Sequence, residues 1–121
     1  MWIRFIVSVV LLVLLVPGTL SLGQEEEVPE KPHNLRVFTR YDGAMAVAEL
    51  LWHDDSTNEL GFEVLRSDNG GEFQVVGTVG VNSKHYDDKI GKYVTGPFAF
   101  KVRAFNRAGR SEESNLVSIW L

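Results

Sequence analysis

The sequence predicts an all-β protein, a sandwich of seven short strands in two antiparallel sheets. Three observations carry this reading. Beyond residue 32, apolar and polar residues alternate with a period of two, the spacing of half-buried strands. Turn-forming clusters such as Asp68-Asn69-Gly70-Gly71 separate these runs at short intervals. No apolar stripe at helical spacing occurs in the same region, and this combination is the pattern of a two-sheet sandwich.

Taken in order, strand A spans 34–39 and strand B spans 45–53, with Ala48, Leu50 and Trp52 facing inward. A polar loop, 54–60, leads to strand C at 61–67, where Phe62 and Val64 face inward. Asn69 and Gly70 accept the positive φ that a tight hairpin requires, so the chain turns there into strand C′ at 73–79. Strand E is short, at 85–88. Strand F at 97–106 points Phe98, Phe100, Val102 and Ala104 inward. Ala108-Gly109-Arg110 then turns the chain into strand G at 114–121. The predicted core is Leu50, Trp52, Phe62, Val64, Phe98, Phe100 and Val102, with Trp52 at its centre.

The first 32 residues read differently. A basic start through Arg4 precedes an apolar run at 5–16, and Pro17-Gly18 breaks any helix. Ser21 and Gly23 stand where a cut before Gln24 needs small residues, so 1–23 reads as a secretory signal peptide. The run is shorter than the ~20 residues that span a bilayer. Extended through Leu22, it would instead serve as an uncleaved anchor. Residues 24–32 are acidic and contain Pro29 and Pro32, the composition of an extended, solvated linker. The folded part is then 33–121, secreted or extracytoplasmic, or anchored to the membrane by its leader.

From Gln24 onward, 11 Lys and Arg face 16 Asp and Glu, and no basic run survives. Phosphate-driven nucleic-acid binding needs such a run and is excluded as a primary role. With no Cys, the chain has neither disulfides nor thiol chemistry, and packing alone must hold it. About 90 residues suffice for that.

The segment 52–80, with its Trp, polar loop and Asn-Gly-Gly hairpin, closely resembles the first half of a fibronectin type III domain of the microbial, extracellular kind. Gly77-Thr78-Val79-Gly80, Tyr86-Asp87-Asp88, the run 98–109 and Ser114-Asn115-Leu116-Val117-Ser118 resemble its second half. The resemblance covers about 32–121 and implies an immunoglobulin-like sandwich. That family usually carries Tyr at the position of Phe98, where the hydroxyl bonds to upstream backbone. Phe98 lacks that bond, a loss on the order of 0.5–1.5 kcal/mol.

Chemical motifs are sparse. Asp54, Ser56 and Asn58 begin like a calcium loop, but Glu59 stands where Gly is needed and Leu65 where a bidentate Glu is needed. The cluster is instead expected to bond its own backbone. Asp54 and Asp55, like Asp87 and Asp88, are adjacent and point to opposite faces of extended chain, so they do not pair for hydrolysis. His33, His53 and His85 are scattered and read as solvated. No catalytic residue, cofactor or metal is expected. Alternation places Leu65 and Phe105 on the outer face of the C–F–G sheet with Lys101, Arg103 and Trp120, and apolar groups rimmed by charge suit a docking patch. The expected role is a non-catalytic module that binds another protein through this face, as a monomer. The alternatives are a passive module tethered by its leader, or a carbohydrate-associated accessory domain that uses Trp120 and Phe105.

Overall fold

Alternation along a strand decides which side chains reach the interior, and the computed structural model, which describes residues 25–121, follows it closely. The expected signal segment and Gln24 lie outside the described residues. Strands β1 (His33–Asp42), β2 (Met45–His53) and β5 (His85–Lys92) form one sheet, ordered β1-β2-β5. The second is ordered β4-β3-β6, from β4 (Gln74–Gly80), β3 (Gly61–Asp68) and β6 (Pro97–Asn106). Two short pieces, β7 (Gly109–Arg110) and β8 (Val117–Trp120), both pair with β6. Every pairing is antiparallel. Among the described residues, no helix is long and apolar enough to cross a membrane.

Among the described residues, eight strands stand where seven were expected, because the last one is split. Two serines cause the break. Ser111 and Ser114 donate their backbone N–H groups to the Ala104 and Val102 carbonyls, each at 2.8 Å. In return, the Ala104 and Val102 N–H groups donate to the Ser111 and Ser114 hydroxyls. Side-chain oxygens thus replace backbone carbonyls, and the regular ladder lapses between β7 and β8. Strand β5 runs past the expected end at Asp88 to Lys92, pairing Met45.

The core lies between the sheets. Leu35 of β1 and Ala48, Leu50 and Trp52 of β2 meet Phe62 and Val64 of β3 and Phe98, Phe100, Val102 and Ala104 of β6. The Trp52 and Phe62 rings join the two sheets with centroids 5.6 Å apart and planes tilted by 55°, within the favourable range for aromatic pairs. The Trp52 indole N–H is buried and meets no acceptor among the described residues. At the far end, Arg66 of β3 donates to the buried Asp88 carboxylate of β5 at 2.8 Å, a second link between the sheets. Its guanidinium also lies 6.0 Å from the ring centroid of the buried Phe98.

Local chemistry sets the turns. Asn69 and Gly70 have φ of 54° and 78°, the two positive values of a type I′ hairpin. In the loop after β2, the Ser56 N–H donates to Asp54 Oδ1 at 2.9 Å, so this side chain does bond its own backbone. The segment 25–32 has no regular structure, yet it is not a free spacer. Pro29 and Pro32 are buried, and the Glu27 carbonyl accepts from Asn58 Nδ2 and Asn106 Nδ2, both at 2.8 Å.

The orphaned indole gives an asymmetric expectation. Trp52→Ala should cost roughly 3–5 kcal/mol through the cavity it leaves. Trp52→Phe keeps much of the volume and removes a buried donor whose desolvation costs about 1–3 kcal/mol, so it should cost far less. Urea melts of the two variants check this; equal losses would contradict the buried geometry.

Candidate functional site

The outer face of the β4-β3-β6 sheet is built in three rows. Cross-strand partners set them: Gly61 faces Phe105, Glu63 faces Arg103, and Leu65 faces Lys101. In the first row, the Phe105 ring lies against Gly61, where an added Cβ would come within 3.0 Å of the ring. Glycine is what lets the ring settle there, leaving Phe105 half-buried.

The second row is ionic. Arg103 Nε and Arg110 Nε both donate to Glu63 Oε1, at 2.8 and 2.9 Å. Burial alone would raise the Glu63 carboxyl, but bonds from Arg110 and Arg103 outweigh it and hold the group below its ordinary value. Glu113 accepts from Lys101 at 2.7 Å and lies 3.9 Å from Arg103. Three cations therefore face two carboxylates, a surplus of positive charge on an acidic chain. Arg110, whose side chain is 60% exposed, is its outermost member.

The third row corrects an expectation. Leu65 was placed on the exposed surface, and it is 4% exposed. It does lie on the outer side, but Lys101 of β6 reaches the Phe73 ring beside β4, with Nζ 4.0 Å from the centroid. That contact has to cross β3, and it closes over Leu65. Aliphatic lysine stems cover apolar surface in this way while the charge stays in water. Trp120 is 77% exposed beside Pro97, at the opposite end of β6 from Phe105. Eight residues of strand separate them, roughly 26 Å. Phe105, Arg103 and Arg110 therefore form one patch, Trp120 stands apart, and Leu65 belongs to neither.

A shallow hollow at the Phe105 end is lined by Glu63, Phe105, Asn106, Gly109 and Arg110. The sequence reading missed Arg110. Its Gly-Arg position in a turn is an ordinary surface signal, and only the pairing of β7 with β6 brings it beside Glu63.

No protein-family model matches this sequence, and no curated protein matches it. Solved structures do. An Fn3-like protein from Clostridium thermocellum is 20% identical with a TM-score of 0.58, over 76% of this chain and 92% of that one. The sixth fibronectin type III domain of human fibronectin type III domain containing protein 3 is 17% identical with a TM-score of 0.60, over 78% and 87% of the two chains. A β-1,2-glucanase from Parabacteroides distasonis is 22% identical with a TM-score of 0.61, over 76% of this chain and 12% of that one. The likeness is one of fold, that of a fibronectin type III domain.

The Glu63 cluster sets a pH dependence. A carboxyl whose folded pKa is depressed stabilises the protein above its unfolded value, about 4.3, and that contribution is lost as pH falls through the folded value. Glu59 behaves alike: burial opposes ionisation, but the Asn82 N–H, its own N–H and the Ser56 and Asp54 side chains outweigh it and lower its pKa. Glu63→Gln should cost on the order of 1 kcal/mol at pH 7, and the difference from the parent should shrink progressively as the pH is lowered below about 4.3. Urea midpoints at pH 7 and along an acid series test this; a difference that does not shrink in acid would assign the effect to packing.

Proposed function

We propose that this fibronectin type III fold serves as a non-catalytic, exported module that binds an acidic protein surface through the patch of Phe105, Arg103 and Arg110. One observation carries the reading: two guanidinium groups converge on a single carboxylate beside a half-buried aromatic ring. Aromatic residues and arginine are enriched where protein interfaces form, and they dominate their energetics. The chain around the patch is acidic, so local surplus charge would steer an acidic partner to this corner. Binding would proceed by surface complementarity. The buried Glu59 and Asp88 and the half-buried Glu63 are engaged in structural hydrogen bonds and are not presented for acid–base work.

Export rests on the N-terminal sequence, whose charge, apolar run and small residues have the anatomy of a cleaved leader. The protein would then act outside the cytoplasm. An uncleaved leader would place the same face at a membrane surface.

A carbohydrate-associated role is the second reading. The same fold occurs within a β-1,2-glucanase, and Trp120 offers an exposed ring suited to stacking on a sugar. Trp120→Ala would abolish that binding and leave the first mode intact.

The test is capture from native host extract by the full chain and by the Phe105→Lys/Arg110→Glu double variant, with melts confirming that both are folded. A protein retained by the parent, weakened by salt, and bound at least about tenfold less by the variant is the expected result. Equal retention by both, or by neither, would overturn the assignment. Leu65→Lys is unsuitable as a probe, because it would place a charge beneath the Lys101–Phe73 contact.

A further inference from the structure

At the pole of the sandwich where β1 begins, His33, His53 and Asp55 bring their ligand atoms within 4.8 Å of one another, and all three are exposed. The chain separates the two histidines by an entire hairpin, so no spacing motif announces them. Register unites them: His33 is the cross-strand partner of His53, with ring centroids 5.0 Å apart.

Simple alternation would not produce this arrangement. His33 has the same parity as the inward-facing Leu35, so a regular strand would turn it toward the core. His53 follows the inward Trp52 and faces out. A β-bulge resolves the conflict. Four residues, from His33 to Arg36, oppose three on β2, from His53 to Leu51. Within the bulge, Asn34 adopts a left-handed φ of 57°, a conformation uncommon outside glycine. Bulges of this kind re-aim side chains, and here the bulge turns His33 onto the face of His53.

The surroundings hold the bulge in place. The Asn115 side chain accepts from the Leu35 N–H at 2.8 Å and donates to the Leu35 carbonyl at 3.1 Å. It acts as a substitute strand partner where the ladder with β2 has lapsed. Asp55 projects from a loop anchored on both sides of it, and its Oδ2 lies 3.2 Å from His33 Nδ1. Two ligands each about 2.0–2.2 Å from a tetrahedral zinc would stand about 3.3 Å apart, so that pair is already spaced for one ion. Glu30 and Glu112 line the same depression as His33 and Asp55, with Lys31 opposing them, so the local field favours a cation.

We infer that His33, His53 and Asp55 form a surface site for a divalent transition-metal ion of the zinc–copper class. Imidazole nitrogen selects these ions over calcium and magnesium, which take oxygen ligands. Three protein ligands leave a coordination position open to water or to a donor from a second molecule. The site shares no residue with the Phe105 patch and does not depend on the binding role proposed for it.

The test uses the full chain without an affinity tag and reads Zn²⁺ binding by calorimetry and Cu²⁺ coordination by electron paramagnetic resonance. One ion per chain is expected, with nitrogen couplings from two imidazoles. His33→Ala and His53→Ala should each weaken Zn²⁺ binding by more than about 100-fold, beyond what loss of an outer partner causes, and should reduce the nitrogen couplings to one. His85→Ala should change neither. All of these side chains are exposed, so the variants should fold, and melts without metal establish that. Absence of saturable binding, binding that survives both single variants, or binding lost with His85→Ala would overturn the site.

Discussion

The contact between the Trp52 indole and the Phe62 ring is the joint on which the molecule depends. It is the aromatic bridge between the two sheets, one ring from β2 and the other from β3. Once Trp52 faces inward, the parity of every residue on β2 is fixed: Leu50 and Ala48 fall into the core, and His53 turns outward. The same logic from Phe62 sends Glu63 and Leu65 to the outer face, and pairing with β6 carries it on to Arg103 and Phe105. The outer face of the sheet is thus the complement of the core. Its residues are where they are because their neighbours could not be anywhere else.

Much of this was legible in the sequence. Strands β2 and β6 have the bounds that alternation and turn residues mark, because apolar side chains recur at period two without interruption along each. What escaped the reading has a common cause. Leu65 obeys parity, but parity says nothing of a lysine on one neighbouring strand reaching an aromatic ring beside the other. The final strand is broken by serine hydroxyls that take over ladder bonds, and serine in a sequence announces a turn or a surface as readily as a mimic of backbone. His33 breaks parity outright through a bulge held by Asn115, eighty positions away from Leu35 in the chain. In each case a contact between distant residues overrides a rule that is local.

The two ends of the sandwich differ in chemistry. At one, the loop after β2 and the N-terminal segment gather carboxylates and imidazoles, with Glu59 anchored by Asn82. At the other, Arg66 bridges Asp68 and Asp88, and closes the core with an ion pair in which both partners are largely shielded. Such a pair adds little net stability over apolar packing, but it is costly to break by removing one partner. It ties β3 to β5 across the core at that end.

The chain enters at one pole and leaves at the other. Residues before β1 cross the end that carries Asn58 and Asn106, which grip the Glu27 carbonyl, whereas Leu121 exchanges backbone hydrogen bonds with Gly96 at the opposite end. Strands β1 and β8 run in the same direction, so a pull between the termini would drag them in opposite senses along the sandwich. Their bonds to β2 and β6 would be loaded side by side in shear. Many would have to fail together, where a strand peeled from one end would release them singly. Were this domain held at its N-terminal end while its far end was tugged, the same topology that orders the core would make it a link that resists extension.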